Sequence, residues 1–415
     1  MNTKILKKVL IALSVVGPGI FLIGYNIGTG SVVTMAKSGA EYGMSLFWTL
    51  ALSCIFTYVL MVAYGKVTIV TGNTALANFK RYFKTFHIGR ILAIYVMTAL
   101  IIGELLALMG IMGIVTELLQ EGSRLIFGGT GFSTLWLTIV LVIGLYILLW
   151  KGHYKIFEKF LIIFVFFMVI CFIIVFFMVK PDISAIVSGL VPRIPTEPGA
   201  LRLIAAMTGT TVSAAVFIIR STVVAEKGWT IKNLSVEKMD AFVSAGMMLF
   251  LSAVIMAVSA GTLHVMGLKL DNTVDLIHLF EPIGGRIAAF ILIIGISAAG
   301  ISTVFPIILI APWLICDYTG RPRDVKSPLF RILGFIGIMF SFVMVYLEQR
   351  PPAVMIFSQA FQALILPAVV LPILFLINRQ KVMKSHVANA GMNIGLIATL
   401  LFGIMTAYFA VAEFI

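Results

Sequence analysis

Charged residues are scarce in this chain. Asp, Glu, Lys and Arg make up 11% of its 415 residues, where soluble domains carry about 25%, and a water-soluble globular protein is thereby excluded. Cysteine is scarcer: Cys54, Cys171 and Cys316 stand far apart, inside or at the ends of apolar runs. They read as small buried hydrophobes, which excludes a disulfide framework and zinc-type spacing. None of the five histidines (His87, His153, His264, His278, His386) falls mid-span, and no two sit at ligand spacing on a helix. What is abundant is apolar: 61% of residues are hydrophobic, and the mean hydropathy is +1.11. Such a chain belongs in a bilayer.

Eleven apolar stretches have the length that crosses about 30 Å of hydrocarbon as a helix. They lie near 11–35, 44–70, 88–119, 133–150, 158–179, 200–225, 241–264, 286–316, 329–347, 353–377 and 391–413. The runs are continuous rather than alternating, so a barrel is excluded and the fold class expected is an all-α polytopic membrane protein. Lys4, Lys7 and Lys8 before an apolar run resemble a signal peptide. Gly17-Pro18-Gly19 interrupts that run and no small-residue cleavage pattern follows, so the segment reads as a retained first span.

Acid is short as well, 17 Asp+Glu against 30 Lys+Arg, a net charge of +13. The excess sorts by topology. With the amino terminus in the cytoplasm, that segment and the loops near 66–90, 151–159, 227–238, 321–331 and 379–384 hold 21 of the 30 basic residues. The positive-inside rule then places the carboxyl terminus outside after eleven spans. The charge is topogenic, and a nucleic-acid partner has no support.

Two spans are interrupted by glycine and hydroxyl clusters. The first contains Gly24-Tyr25-Asn26-Ile27-Gly28-Thr29-Gly30-Ser31, the sixth Thr208-Gly209-Thr210-Thr211-Val212-Ser213. A broken helix exposes amides and carbonyls that lipid cannot satisfy, and is tolerated only inside protein or beside a cavity. Breaks five spans apart are those of two inverted repeats, about 11–180 and 200–377, followed by an extra helix at about 391–413, all in one transmembrane domain. Isolated glycines such as Gly103, Gly110, Gly113, Gly295 and Gly300 are accounted for by close helix packing. Among the acids only Glu104 is clearly central, a position that points to a proton or cation relay or to a structural ion pair. Arg220, a base inside the sixth span, is its expected partner. The 21 methionines are scattered over apolar faces and read as packing. No nucleophile–base pair, phosphate loop or metal triad is evident, so no enzyme activity is expected.

The chain resembles the natural resistance-associated macrophage protein (NRAMP) divalent-metal transporters, along nearly its whole length. Gly17-Pro18-Gly19 and the stretch from Ser38 to Trp48 flank the first break as that family's GPG and AGAxFGYxLLW segments do. Val67 to Gly72, then Leu76-Ala77 and Arg81, is similar to its GIVTGxxLAxxxR. Lys180-Pro181-Asp182 through Gly189-Leu190-Val191-Pro192 is similar to its external loop, and Ser358-Gln359 with Leu366-Pro367 to its tenth span. The resemblance implies a LeuT-like fold with broken helices 1 and 6. It also exposes a departure. Where the family's first span has Asp-Pro-Gly-Asn, this chain has Gly28, Thr29, Gly30 and Ser31. Where the sixth has Met-Pro-His, it has Ser213, Ala214 and Ala215. A tenth-span glutamine falls on Ile365, with Gln362 one turn earlier. The family's third-span acid falls on Glu104, a second sixth-span histidine on Arg220, and a ninth-span arginine on Arg331.

No family ligand is retained; Ser31 and Ser213 stand at ligand positions. Without the carboxylate nothing offsets dehydration of a divalent ion, and without the thioether no preference for softer metals remains. A roomier, neutral cavity of hydroxyls, amides and carbonyls is expected, formed by Gly28, Thr29, Gly30, Ser31, Thr210, Ser213 and Gln362, with Glu104 and Arg220 as relay. Three functions follow: alternating-access transport of a metal cation kept largely hydrated, such as magnesium; transport of an organic solute such as an amino acid; or sensing without transport. The expected partners are the cation or solute and the lipid bilayer, with no cofactor. A monomer in the bacterial inner membrane is expected.

Overall fold

Long apolar runs without charge leave the backbone one way to satisfy its own polar groups inside lipid, the helix. The computed structural model describes residues 28–83, 88–151, 154–280, 282, 284–347 and 349–412, with side chains from 163 onward in the helix that begins at 154. Among these residues every regular element is helical. In chain order the main helices are α1 (Thr29–Tyr42), α2 (Phe47–Thr71), α3 (Ala75–Tyr82), α4 (Ile88–Phe127), α5 (Thr134–Lys151), α6 (Tyr154–Val179), α7 (Ala200–Thr211) and α8 (Ala214–Glu226). They continue with α9 (Leu234–Gly261), α10 (Gly285–Thr319), α11 (Pro328–Met339), α12 (Pro351–Asn378) and α13 (Ala390–Ala412).

Nine helical segments of the described residues are long and apolar enough to cross a membrane, α7 and α8 together forming one of them. Of the other two expected spans, α6 supplies the fifth, with an apolar stretch at Ile163–Val179, and α1 is the described half of the first. The first half of that span, with Gly17-Pro18-Gly19 and Gly24 to Ile27, lies outside the described residues, as do His87 and His153. The boundaries carry the expected punctuation. Gly72 and Gly320 close α2 and α10 in the left-handed conformation, at φ 68° and 73°, and prolines open α11 and α12, where a missing N–H costs nothing.

α12 lies against α4, α7 and α13, α10 against α4 and α6, and α1 against α9 and α7. These crossings are close because glycine stands at them. A side chain at Gly39 of α1 would collide with the Met256 carbonyl and Ser259 of α9, and one at Gly209 of α7 with the Gln359 carbonyl of α12. Ser259 Oγ donates to the Ala36 carbonyl across the first contact. In lipid, packing and such hydrogen bonds replace the hydrophobic driving force between helices. The outer faces are apolar: Trp136, Ile143, Phe166, Ile404 and Tyr408 are all more than half exposed, as lipid-facing side chains should be.

One boundary differs from the sequence reading. The segment 227–238 was expected as a loop, but α9 begins at Leu234 and takes Glu237 and Asp240 into the buried interior, at 0% and 1% exposure. Glu104 is therefore not the only buried acid. The lone ion in a hydropathy window is easily assigned to the aqueous side; a partner on another helix, invisible in that window, holds these two inside.

Packing at the glycines is checked by a contrast. Gly39→Val is expected to lower the thermal unfolding midpoint of the purified protein, at an overpacking cost of about 1–3 kcal/mol. Gly144→Ala, in α5 with open space around it, is expected to leave the midpoint unchanged or raise it.

Candidate functional site

The sixth span breaks where its hydroxyl cluster ends. Val212 leaves the helical region at φ −99°, ψ 48°, Ser213 is extended at φ −65°, ψ 124°, and α8 restarts at Ala214. The carbonyl of Thr211, released by the break, accepts a hydrogen bond from Thr57 Oγ1 at 2.9 Å, a side chain of α2. Gly28 is likewise extended ahead of α1, which has no side-chain cap. The two amino-terminal helix ends, α1 and α8, and the carboxyl-terminal end of α7 thus meet in one place. Their partial charges are positive for the first two and negative for the third.

Between them lies a cavity lined by Gly28, Gly30, Ser31, Glu104, Thr210, Ser213, Thr303, Gln359 and Gln362, with Ala107, Ile111 and Ile307. Its polar side chains are buried, between 3% and 7% exposed. Ser213 Oγ donates to Gln362 Oε1 at 2.8 Å, and Gln362 Nε2 donates to Glu104 Oε1 at 3.2 Å. One chain of hydrogen bonds joins the sixth, tenth and third spans.

Seven of the positions expected from the sequence line this cavity: Gly28, Gly30, Ser31, Glu104, Thr210, Ser213 and Gln362. Two others do not. Thr29 points away, its Oγ1 donating to the Ile296 carbonyl of α10 at 3.2 Å, because the first helical turn presents successive residues to different neighbours. Arg220 is not the partner of Glu104. It lies further along α8, with Nη2 at 2.8 Å from Glu237 Oε1 and 2.9 Å from Asp240 Oδ2. Arg331 stacks on Trp150 at 3.9 Å. Ile365 is buried outside the lining, so the nearby glutamine Gln362 is the one that reaches the cavity.

Sequence reasoning missed Thr303 and Gln359, and with them the size of the site. A Cβ at Gly28 would collide with Thr303 Oγ1, and one at Gly30 would fall 2.7 Å from Gln359 Nε2 and 3.1 Å from Met355 Sδ. The space expected to be roomier is taken by a threonine of α10 and a glutamine of α12. Its volume is about 30 Å³. The signal was present: Ser302-Thr303 is a hydroxyl pair one turn before Pro306 in an otherwise apolar span. Among the described residues no group of three or more His, Cys, Asp or Glu could hold a metal directly. The donors available to a ligand are hydroxyls, side-chain amides, backbone groups of the breaks and one carboxyl.

A polar cavity where two interrupted helices cross, inside a bundle of apolar spans, defines a membrane protein of the LeuT-like transporter class. The profile of the natural resistance-associated macrophage protein-like family matches residues 19–413, and the chain belongs to that family. It is 23% identical over 382 residues to the divalent metal cation transporter MntH of Pectobacterium carotovorum, covering 91% of this chain and 89% of that one. It is 22% identical over 385 residues to MntH of Deinococcus radiodurans, covering 90% and 84%. In structure it is similar to the manganese transporter of Eremococcus coleocola, with a TM-score of 0.71 at 16% identity over 100% of this chain and 89% of that one. The nucleobase-cation-symport-1 family transporter Mhp1 shares the fold at a TM-score of 0.59 and 14% identity, covering 95% and 92%.

Thr303 sets a testable limit. Gly28→Asp alone is expected to leave the Mn²⁺ affinity read by calorimetry no higher than that of the unaltered protein, because the carboxylate has no room. Gly28→Asp combined with Thr303→Ala opens the space and is expected to raise that affinity by about tenfold or more.

Proposed function

We propose that this protein is a secondary transporter that moves a divalent cation by alternating access, with the ion keeping most of its water shell. The relatives are named as divalent metal cation transporters, which supports the cargo class. The single observation that carries the finer reading is the cavity itself, neutral but for Glu104 and about 30 Å³ in volume. As space for the centres of water-sized occupants, that is a sphere of about 1.9 Å radius, close to the about 2.0–2.1 Å at which Mg²⁺ holds its water oxygens. A small ion with a few water molecules matches that space more closely than an amino acid, with its longer run of heavy atoms, does. Mg²⁺ dehydrates reluctantly and is commonly bound through water, which suits hydroxyls and amides at Ser31, Thr210, Ser213, Thr303, Gln359 and Gln362 better than it suits the stripping of a softer ion.

In this reading Gln362 orients the site. Its amide is held by Ser213 on one side and Glu104 on the other, so its position answers to both the sixth and the third span. Glu104 supplies the fixed or exchangeable charge, and the carboxyl-terminal end of α7 adds negative potential. The two repeats rock about this point, with the amino terminus in the cytoplasm as the distribution of Lys and Arg supports. A second reading, a small solute carrying a carboxylate, is favoured by the two helix amino termini at the cavity, whose amides suit an anion. The volume of the site argues against it.

The test is uptake into proteoliposomes followed with a Mg²⁺-sensitive dye. Mg²⁺ uptake that saturates, is competed by Mn²⁺ and is indifferent to amino acids is expected; no Mg²⁺ signal, together with uptake of a labelled amino acid that neither cation affects, would replace the first reading with the second. Gln362→Ala removes one hydrogen bond on each side, each worth about 1 kcal/mol, and is expected to raise the half-saturating concentration about fivefold or more. Glu104→Gln is expected to abolish any dependence of uptake on an imposed pH gradient while the protein stays folded.

A further inference from the structure

A groove separate from the transport cavity lies at the end of the bundle that collects most of the Lys and Arg. Among the described residues it is lined by Phe83, just after α3, and by Phe375, Leu376, Asn378 and Arg379 at the end of α12. Its volume is about 370 Å³, within the about 300–1,000 Å³ of small-ligand sites. Phe83 and Phe375 meet edge to face, with ring centroids 6.5 Å apart. Phe375 is 60% exposed and Leu371, one turn earlier on α12, 46%. The apolar wall of the groove therefore runs on into the lipid-facing surface of α12.

The other end of the groove is cationic. Arg379 Nη1 donates to the Tyr82 carbonyl at 3.0 Å, which holds the guanidinium between α12 and α3. A guanidinium carries five N–H donors in a rigid fork, and no acid of the described residues pairs with this one. Asn378 exchanges amide hydrogen bonds with Asn393 of α13 at 2.6 and 2.9 Å, so its side chain is spent on holding α12 to α13. The sequence around the groove adds to the imbalance. The chain has no Asp or Glu between Glu41 and Glu104 or between Glu348 and Glu413, and the lining residues come from those two stretches. Arg81 stands two residues before Phe83 and Lys381 two after Arg379, both exposed. Gly89, at the start of α4, donates its N–H to the Phe83 carbonyl at 2.7 Å, which brings the exposed Arg90 to the same place.

Aromatic walls open to hydrocarbon and a guanidinium without an acid partner fit an amphiphile with an acidic head. We propose that this groove binds an anionic phospholipid, its phosphate on the Arg379 fork and an acyl chain along Phe375 and Leu371. Arginine bonds phosphate oxygens through two parallel N–H groups, and basic pockets between spans are where acidic headgroups bind. A soluble phosphate would leave the apolar wall unused, and a zwitterionic headgroup would bring a further cation to a surface that lacks acids. The bound lipid fastens α3 to the end of α12, the helix that also carries Gln359 and Gln362 of the transport cavity.

The test follows lipid retention and is independent of the transported species. Native mass spectrometry of the purified full chain, offered phosphatidylglycerol and phosphatidylcholine with the same acyl chains, is expected to show one phosphatidylglycerol held in preference by about fivefold or more, the effect of one basic residue at an acidic headgroup. Arg379→Gln is expected to remove that preference. Phe375→Ala leaves the charge unchanged and is expected to weaken phosphatidylglycerol retention by about threefold or more, which a diffuse attraction between charges would not do. Arg286→Gln, near the start of α10 and roughly 50 Å along that helix from Tyr318, the partner of Lys80, is expected to leave the preference in place. Glycerol phosphate in excess is expected not to displace the lipid. Equal retention of the two lipids by the unaltered protein, retention unchanged in whichever of the Arg379 and Phe375 variants keeps its unfolding midpoint, loss of the preference in Arg286→Gln, or displacement by glycerol phosphate would overturn the proposal.

Discussion

A helix interrupted inside a membrane has to find partners for the backbone groups it releases, and that requirement organises this protein. The break at Val212 and Ser213 is held by Thr57 on the Thr211 carbonyl and by the run from Ser213 through Gln362 to Glu104. Each contact comes from a different span, so the second, third, sixth and tenth spans are fixed relative to one another by polar atoms that lipid cannot replace. The small residues that bring these spans close, Gly209 against α12 above all, are what make the contacts geometrically possible. Packing and polarity are one arrangement here.

In the proposed reading this is how the family's fold persists with other residues at the ligand positions. The bundle is specified by close helix crossings and by satisfaction of the breaks, neither of which requires an aspartate or a methionine at the centre. At Gly28, where the resemblance places the family's carboxylate, Thr303 fills the volume; Gly30, a glycine in the family's motif as well, lies against Gln359 and Met355. The site is small and polar, lined by hydroxyl and amide donors with the carboxyl of Glu104. Such a site is suited to an ion that is gripped through its water, whose selectivity comes from the size of the hydrated shell.

Much of the fold was legible before any coordinates. Continuous apolar runs have one outcome in lipid, and hydroxyl and glycine clusters in two of them marked the breaks. Seven cavity positions followed from those clusters, from the central acid Glu104 and from Gln362. What was not legible depended on pairings between helices. Arg220 had a better partner than Glu104, because Glu237 and Asp240, which a hydropathy window assigns to a loop, lie one helix away at the same depth. Thr303 and Gln359 sit in spans whose average is apolar, and only the crossing of α10 and α12 with α1 turns them inward. The cavity's size was misjudged for the same reason: deleting two side chains opens space only if the neighbours do not fill it.

The central claim is that a divalent ion occupies the cavity through its water shell. The most direct measurement is a high-resolution structure with Mn²⁺ as an anomalously scattering substitute for Mg²⁺. The account predicts a metal peak among Ser31, Ser213, Thr303 and Gln362, ringed by ordered waters, with most of these side chains bonded to the waters and beyond direct bonding distance from the metal. A metal directly ligated by the protein on most of its shell, or a cavity that stays free of metal at saturating Mn²⁺ while a carboxylate solute occupies it, would contradict the account.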